Sequence, residues 1–133
     1  MNNYTAEADV MTDGDRRTKS NIGLINQRYI FALIGNGQKL EIVSNYDRFR
    51  HSVPFSFKTN IWYTLKTRVD IIEDGTGMIR AKAWPKSAEE PDQWTIEVAH
   101  ETPHLQGAPG VYAMSPQSKK KVYFDNLSIR YNN

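Results

Sequence analysis

The chain has 133 residues, 39% of them apolar, and its 17 Lys and Arg against 15 Asp and Glu give a formal net charge of +2. This length predicts one domain over residues 1–133 with one core, and the near balance of charge excludes the strong positive field of duplex-DNA and polyanion binders. Cysteine is absent, which excludes disulfides, thiolate zinc sites and a cysteine nucleophile.

The predicted elements are strands, because apolar residues recur with a period of two. The first strand opens the chain, with apolar side chains at every second position from Tyr4 to Val10. Short apolar runs at 22–25 and 29–34 predict strands buried on both faces. A turn at 35–38 leads to a strand over 39–46. A shorter strand over 48–54 ends at an edge position, since Pro54 lacks the N–H that a central strand needs.

The clearest local prediction is a long antiparallel hairpin. Odd positions over 61–72 are mainly apolar and even positions mainly charged, the turn signal Glu73–Gly77 follows, and alternation resumes over 78–84. Later strands are predicted at 94–98, 110–114 and 122–131. In the last, one face would hold Tyr123, Leu127, Ile129 and Tyr131, with Asp125 interrupting it.

Turn residues recur every 8–12 positions and no window has a helical stripe, which predicts an all-β sandwich or barrel. No apolar stretch approaches the roughly 18 residues of a membrane span, and the start Met1–Thr5 has no signal-peptide pattern. The first strand begins almost at Met1 and the last ends almost at Asn133, which is typical of a domain excised from a longer protein.

Several segments together resemble the concanavalin A-like lectin/glucanase superfamily: Tyr4–Val10, Asn21–Leu24, Trp62–Val69, Ile79–Trp84, Pro109–Ala113 and Val122–Ile129. Within it, the chain is most similar to bacterial laminin-G-like modules, and more closely to the sandwich domain attached to pyrroloquinoline-quinone-type β-propeller proteins. The resemblance implies a jelly-roll of two antiparallel sheets with the first and last strands adjacent. It also implies a periplasmic or secreted protein, and carbohydrate binding on the concave sheet or at loop tips.

The candidate binding residues are aromatic and planar polar side chains, because sugar rings stack on Trp and Tyr while their hydroxyls suit bidentate partners. Trp62 and Trp84 fall on the charged, outward face of the hairpin, and Tyr46 belongs to a second cluster. The alternative is that these tryptophans pack beneath a loop. The predicted carbohydrate-binding residues are Trp62, Arg68, Arg80, Trp84, Tyr46 and Arg50.

Catalytic and metal candidates are fewer. Glu7 and Asp9 resemble the start of the carboxylate signature of β-glucanases, but Thr12 stands where its last glutamate should be. Jelly-roll modules often hold a structural Ca²⁺ on loop carboxylates, for which the candidate ligands are Asp13, Asp15 and Asp125. His100 and His104 have the i, i+4 spacing of a helical zinc motif, but Pro103 and the β pattern around them argue against a helix, so the spacing does not indicate a zinc site.

The sequence therefore predicts a non-catalytic carbohydrate-binding or recognition module without a cofactor. One alternative is a structural domain that docks on a β-propeller or another domain of the parent protein. The other is a glycoside hydrolase of the same fold, which would need two carboxylates on one groove face. Neither nucleic acid nor membrane insertion is expected.

Overall fold

A computed structural model describes residues 1–15, 18–115 and 120–132, and every regular element within these ranges is a β-strand. The strands are β1 (Tyr4–Thr12), β2 (Asn21–Asn26), β3 (Tyr29–Ile34), β4 (Lys39–Ser44), β5 (Arg50–Pro54), β6 (Tyr63–Ile71), β7 (Gly77–Pro85), β8 (Ile96–His100), β9 (Gly110–Met114) and β10 (Val122–Tyr131). Within the described ranges, no helix has the length and apolar character to cross a bilayer.

The strands form two antiparallel sheets of five strands each. Sheet I has the order β10-β1-β6-β7-β8, and sheet II has the order β5-β4-β3-β2-β9. The predicted all-β, two-sheet architecture is thus confirmed. The first and last strands lie side by side, with Tyr4 opposite Tyr131. The predicted hairpin is β6–β7, with Lys66 opposite Lys82.

The core lies between the two sheets, because side chains alternate along each strand and every second one points into this space. Sheet I contributes small inward residues, including Ala6, Ala8 and Ala81, whereas sheet II contributes large ones, including Phe31 and Leu33. Small residues facing large ones fill the space between layers without voids. The other large members of the core are Tyr4, Val10, Ile22, Leu24, Tyr29, Leu40, Ile42, Leu65, Val69 and Ile79.

One buried polar residue ties the two sheets together. Asn26 of β2 is fully buried, and its amide Nδ2 donates to the Tyr4 carbonyl oxygen at 3.0 Å and to Thr67 Oγ1 at 3.1 Å. Thr67 in turn donates to the Ala6 carbonyl oxygen at 2.9 Å. These bonds satisfy the Asn26 amide nitrogen and the Thr67 hydroxyl, which would be costly to bury alone, and they join sheet II to β1 and β6 of sheet I. Within the described residues, Oδ1 of Asn26 has no hydrogen-bond partner.

A β-bulge in β10 overturns the predicted face of that strand. Glu7 pairs with Ser128 while Asp9 pairs with Asp125, so β10 has one extra residue there, and Asn126 has a φ of 54°. The extra residue exchanges the two faces. Tyr123 and Asp125 lie opposite Met11 and Asp9, whose side chains point outward, and the residues packed against the core are Val122, Phe124 and Ile129. Asp125 is exposed and does not interrupt the apolar face.

Candidate functional site

A groove of about 520 Å³ runs across the outer face of sheet II, and its volume lies in the range of small-molecule sites. Its lining combines apolar side chains with one aromatic residue and a small charged group. The lining residues are Asn21, Ile30, Ala32, Ile34, Lys39, Glu41, Val43, Asn45, Arg50, Tyr112 and Met114. Here the prediction that 29–34 is buried on both faces is wrong, because Ile30 and Ile34 are only half-buried and line the groove.

A row of four residues crosses the middle of the groove, and the two central ones are small. The strand register places Tyr112, Gly23, Ala32 and Glu41 in one row across β9, β2, β3 and β4. Ala32, which lines the groove, has only a methyl group, and Gly23 beside it has no side chain. The backbones of β9 and β4 lie three strand spacings apart, about 14 Å. The row thus separates an aromatic ring from a carboxylate by an apolar floor.

The charged wall of the groove is centred on Glu41. Its carboxylate is almost fully buried and accepts a hydrogen bond from Nη1 of Arg50, while Nζ of Lys39 lies 3.2 Å from its other oxygen. Arg50 belongs to β5, so its contact with Glu41 joins neighbouring strands, whereas Lys39 lies on β4 together with Glu41. Lys39 and Arg50 are the charged partners that a buried carboxylate requires.

Sequence reasoning identified one residue of this groove, Arg50, and missed Tyr112, Glu41 and Lys39. The available signal was the alternation of β4, where Lys39 and Glu41 share a face with Val43. That pattern gives the face of one strand. The row itself depends on the register of four strands, which alternation in a single strand does not specify.

The outer face of sheet I is partly covered by the chain itself. The segment 86–95 lies across β6 and β7, where the Glu90 carboxylate pairs with Nζ of Lys66 at 2.9 Å and of Lys82 at 2.8 Å. Lys82 also donates to the Pro91 carbonyl oxygen at 2.6 Å. Its ammonium lies 4.9 Å from the ring centroid of Trp94, a cation–π contact. We call this segment the covering loop.

Trp84 lies on the outer face of β7 as predicted, but it is only 8% exposed. The ammonium of Lys82, which the covering loop holds, lies 5.9 Å from the Trp84 ring centroid. Trp84 therefore has little exposed surface for stacking, and of the two predicted alternatives a tryptophan packed beneath a loop describes it better. Trp62 is half-buried and lines a shallower depression of about 350 Å³ with Lys86 and Ile61.

The remaining predicted binding residues do not form one site. Arg68 donates to Asp70 at 2.7 Å, and Arg80 contacts both Asp70 at 3.3 Å and Glu97 at 2.5 Å, so both guanidinium groups are engaged on sheet I. Tyr46 is exposed in the β4–β5 loop, where the Arg28 guanidinium lies 5.3 Å from its ring centroid. Only Arg50 of the six lines the groove on sheet II.

The two carboxylates considered for catalysis, Glu7 and Asp9, share the outward face of β1. Asp9 accepts hydrogen bonds from Thr64 at 2.8 Å and Asn126 at 2.7 Å, and Nζ of Lys86 lies 3.0 Å away. Burial acts to raise the pKa of Asp9, but these donors outweigh it and hold the pKa below its usual value. Asp9 therefore anchors the covering loop and the β10 bulge as a carboxylate.

A network of histidines closes one end of the sandwich, which sequence reasoning did not predict. The Tyr29 hydroxyl lies 2.6 Å from Nδ1 of His100, and Nε2 of His100 lies 3.0 Å from Asp47. Ser44 Oγ lies 2.5 Å from Nε2 of His104. Burial raises the pKa of Tyr29 to about 12 and lowers the pKa of His104 below its usual value. These contacts fasten the segment 101–109 to β3 and β4.

His104 should make folding sensitive to acid. Because its pKa is lower in the folded state than the usual value of about 6.5, the unfolded chain binds more protons as the pH falls through that value. The free energy of unfolding should therefore fall between about pH 7.5 and about pH 5, as measured by urea denaturation. In His104→Gln we expect a weaker pH dependence and a loss of about 1 kcal/mol at pH 7.5. The exposed His51→Gln should keep the wild-type dependence, and an equal slope in both variants would contradict the assignment.

The calcium candidates are engaged elsewhere and do not converge. Asp13 accepts a backbone hydrogen bond from Lys121 at 2.6 Å, Asp15 from Thr18 at 2.8 Å, and Asp125 from Asn126 at 2.8 Å. Over the described ranges, no three His, Asp or Glu side chains are grouped to hold a metal ion.

Compared with known proteins, the chain matches no family model, no curated protein and no solved structure. Function must therefore be argued from the groove and the chemistry of its lining.

Proposed function

We propose that the domain is a non-catalytic carbohydrate-binding module and that it binds its ligand in the groove on sheet II. One observation carries the proposal: Tyr112 and Arg50, which contacts Glu41, line the same groove on either side of the small residue Ala32. An aromatic ring provides a surface for the apolar face of a sugar, and a guanidinium donates to its hydroxyls in a fixed plane.

The charge pattern of the groove supports binding rather than hydrolysis. Glycoside hydrolysis uses two carboxyl groups roughly 5–10 Å apart. Among the described residues that line the groove, Glu41 is the one carboxylate, and cations contact both of its oxygens. A proton donor for the leaving group would have to come from elsewhere.

The resemblance to extracytoplasmic jelly-roll modules supports the same proposal and adds its context. We propose that the module belongs to a periplasmic or secreted bacterial protein and works beside other domains of that protein. The groove on sheet II then has the role that the concave sheet has in that superfamily.

Binding of the domain to a glycan array, followed by titration of the best ligand, tests the proposal. Tyr112→Ala should weaken binding about tenfold by removing the stacking surface. The matched control is Tyr131→Ala, an exposed tyrosine on sheet I, which should bind like the wild type. Turnover of a glycan would favour a hydrolase. If the domain binds none of the glycans, the proposal is overturned and the domain-docking alternative is favoured.

A further inference from the structure

The groove carries an excess of positive charge. Its charged lining residues within the described chain are Lys39, Glu41 and Arg50, so two cations share one carboxylate. Glu41 is an internal partner with only 9% of its side chain exposed, whereas the side chain of Arg50 is 69% exposed and that of Lys39 is 39% exposed. One unit of positive charge therefore remains for a ligand.

Glu41 also orients the more exposed of the two cations. It accepts from one guanidinium nitrogen of Arg50, and within the described residues no other hydrogen-bond partner contacts that side chain. The remaining N–H donors have no partner within the described residues, and the contact with the buried carboxylate holds one end of the guanidinium group. A planar pair of donors matches the two oxygens of a carboxylate better than the single oxygen of a hydroxyl.

The cations of sheet I provide the contrast. Lys66 and Lys82 contact Glu90, Arg68 contacts Asp70, and Arg80 contacts Asp70 and Glu97. Each of these four cationic side chains is at most 34% exposed. Arg50 combines a cationic group with exposure and a position in a groove, which these four cations on β6 and β7 do not.

We infer, on the basis of the proposed carbohydrate-binding function, that the groove prefers a saccharide bearing a carboxylate, such as a uronic acid residue. Arg50 and Lys39 bind the carboxylate, and Tyr112 packs against a sugar ring of the same ligand. Because the formal net charge of the whole chain is only +2, the preference comes from recognition of one anionic group and not from attraction to a long anionic chain.

Calorimetric titration with three matched probes tests this inference on the intact domain. The probes are a trisaccharide with one uronic acid residue, its methyl ester, and the same trisaccharide with a sulfate ester in place of the carboxylate. We expect the uronate to bind at least about tenfold more tightly than the ester, because the ester lacks the negative charge that Arg50 and Lys39 bind. If the uronate and the ester bind equally well, the inference is overturned and the proposed function stands. If neither the probes nor any glycan on the array binds, both are overturned. Tighter binding of the sulfate would overturn the assignment to a carboxylate.

Two variants connect the preference to the groove. Arg50→Ala should reduce the preference for uronate over ester to near one, but it also removes a partner of the buried Glu41. Arg50→Lys keeps a cation for Glu41 without the planar donors, and it should lower the preference about threefold or more while urea denaturation stays close to the wild type. Arg68→Ala on sheet I is the control and should keep the full preference. A wild-type preference in both Arg50 variants would overturn the assignment.

Discussion

Gly23→Ala is expected to lower the free energy of unfolding by about 3 kcal/mol or more. A Cβ atom at this position would lie 2.0 Å from the Phe31 carbonyl oxygen and 2.8 Å from the Ala32 Cα atom, both in the backbone of β3. Backbone in the middle of a sheet cannot move aside as a flexible side chain can, so β2 and β3 would have to separate. Urea denaturation with a constant m-value measures the effect.

Gly110→Ala is the matched control for this experiment. Gly110 lies on β9, the other neighbour of β2, and a Cβ atom there would meet side-chain carbons of Ile25 at 3.4 to 3.9 Å, which are ordinary contacts. Its effect should stay within about 0.5 kcal/mol. If Gly23→Ala were as mild as Gly110→Ala, the close approach of β2 to β3, and with it the shape of the groove floor, would be wrong.

Asn26→Asp is expected to cost about 3–5 kcal/mol at pH 7, because it replaces a buried amide donor with a carboxylate. The new oxygen would face the Tyr4 carbonyl oxygen, to which Asn26 now donates, and no cation contacts this position within the described residues. Thermal and urea unfolding would measure the loss.

The pH dependence of this variant provides a second readout. Burial without a cation raises the pKa of the introduced carboxyl above its unfolded value of about 3.9, so the penalty should shrink as the pH falls towards that value. Asn2→Asp, at an exposed position, should show neither the loss nor its recovery. An Asn26→Asp protein as stable as the wild type at pH 7 would contradict the role of Asn26 as the tie between sheets.

The local structure was largely predictable because alternation records which side of a strand faces the core. The β6–β7 hairpin shows this well: Leu65 and Val69 are fully buried, as the pattern of odd positions predicts. The adjacency of β1 and β10 was predicted from the resemblance to a jelly-roll, and not from the two strands themselves.

The bulge in β10 marks the first limit of such reasoning. A single extra residue at Asn126 changes the face of every residue beyond it. Asp125 and Asn126 are residue types that disfavour regular strands, and Asn adopts positive φ more readily than most residues, but the pair does not by itself specify a bulge. Asp125 looked unusual only because the strand was taken as regular.

The candidate site was predictable only in part for a related reason. Alternation placed Trp84 on the outer side of sheet I, but it does not say what lies over that side. The ion pair between Lys66 and Glu90 joins residues 24 positions apart, and the groove row joins Gly23 on β2 to Tyr112 on β9. Contacts of this kind depend on the path of loops and the register of distant strands.

The covering loop has a consequence for how the domain meets other molecules. Lys66 and Lys82 share Glu90 beneath this loop and are largely buried, while the opposite outer face keeps an exposed guanidinium at Arg50. The domain is therefore chemically two-sided: its own loop covers part of one outer face, and the other outer face is an open groove. A molecule that approaches the two faces meets side chains already held by internal partners on the first, and an exposed cation on the second.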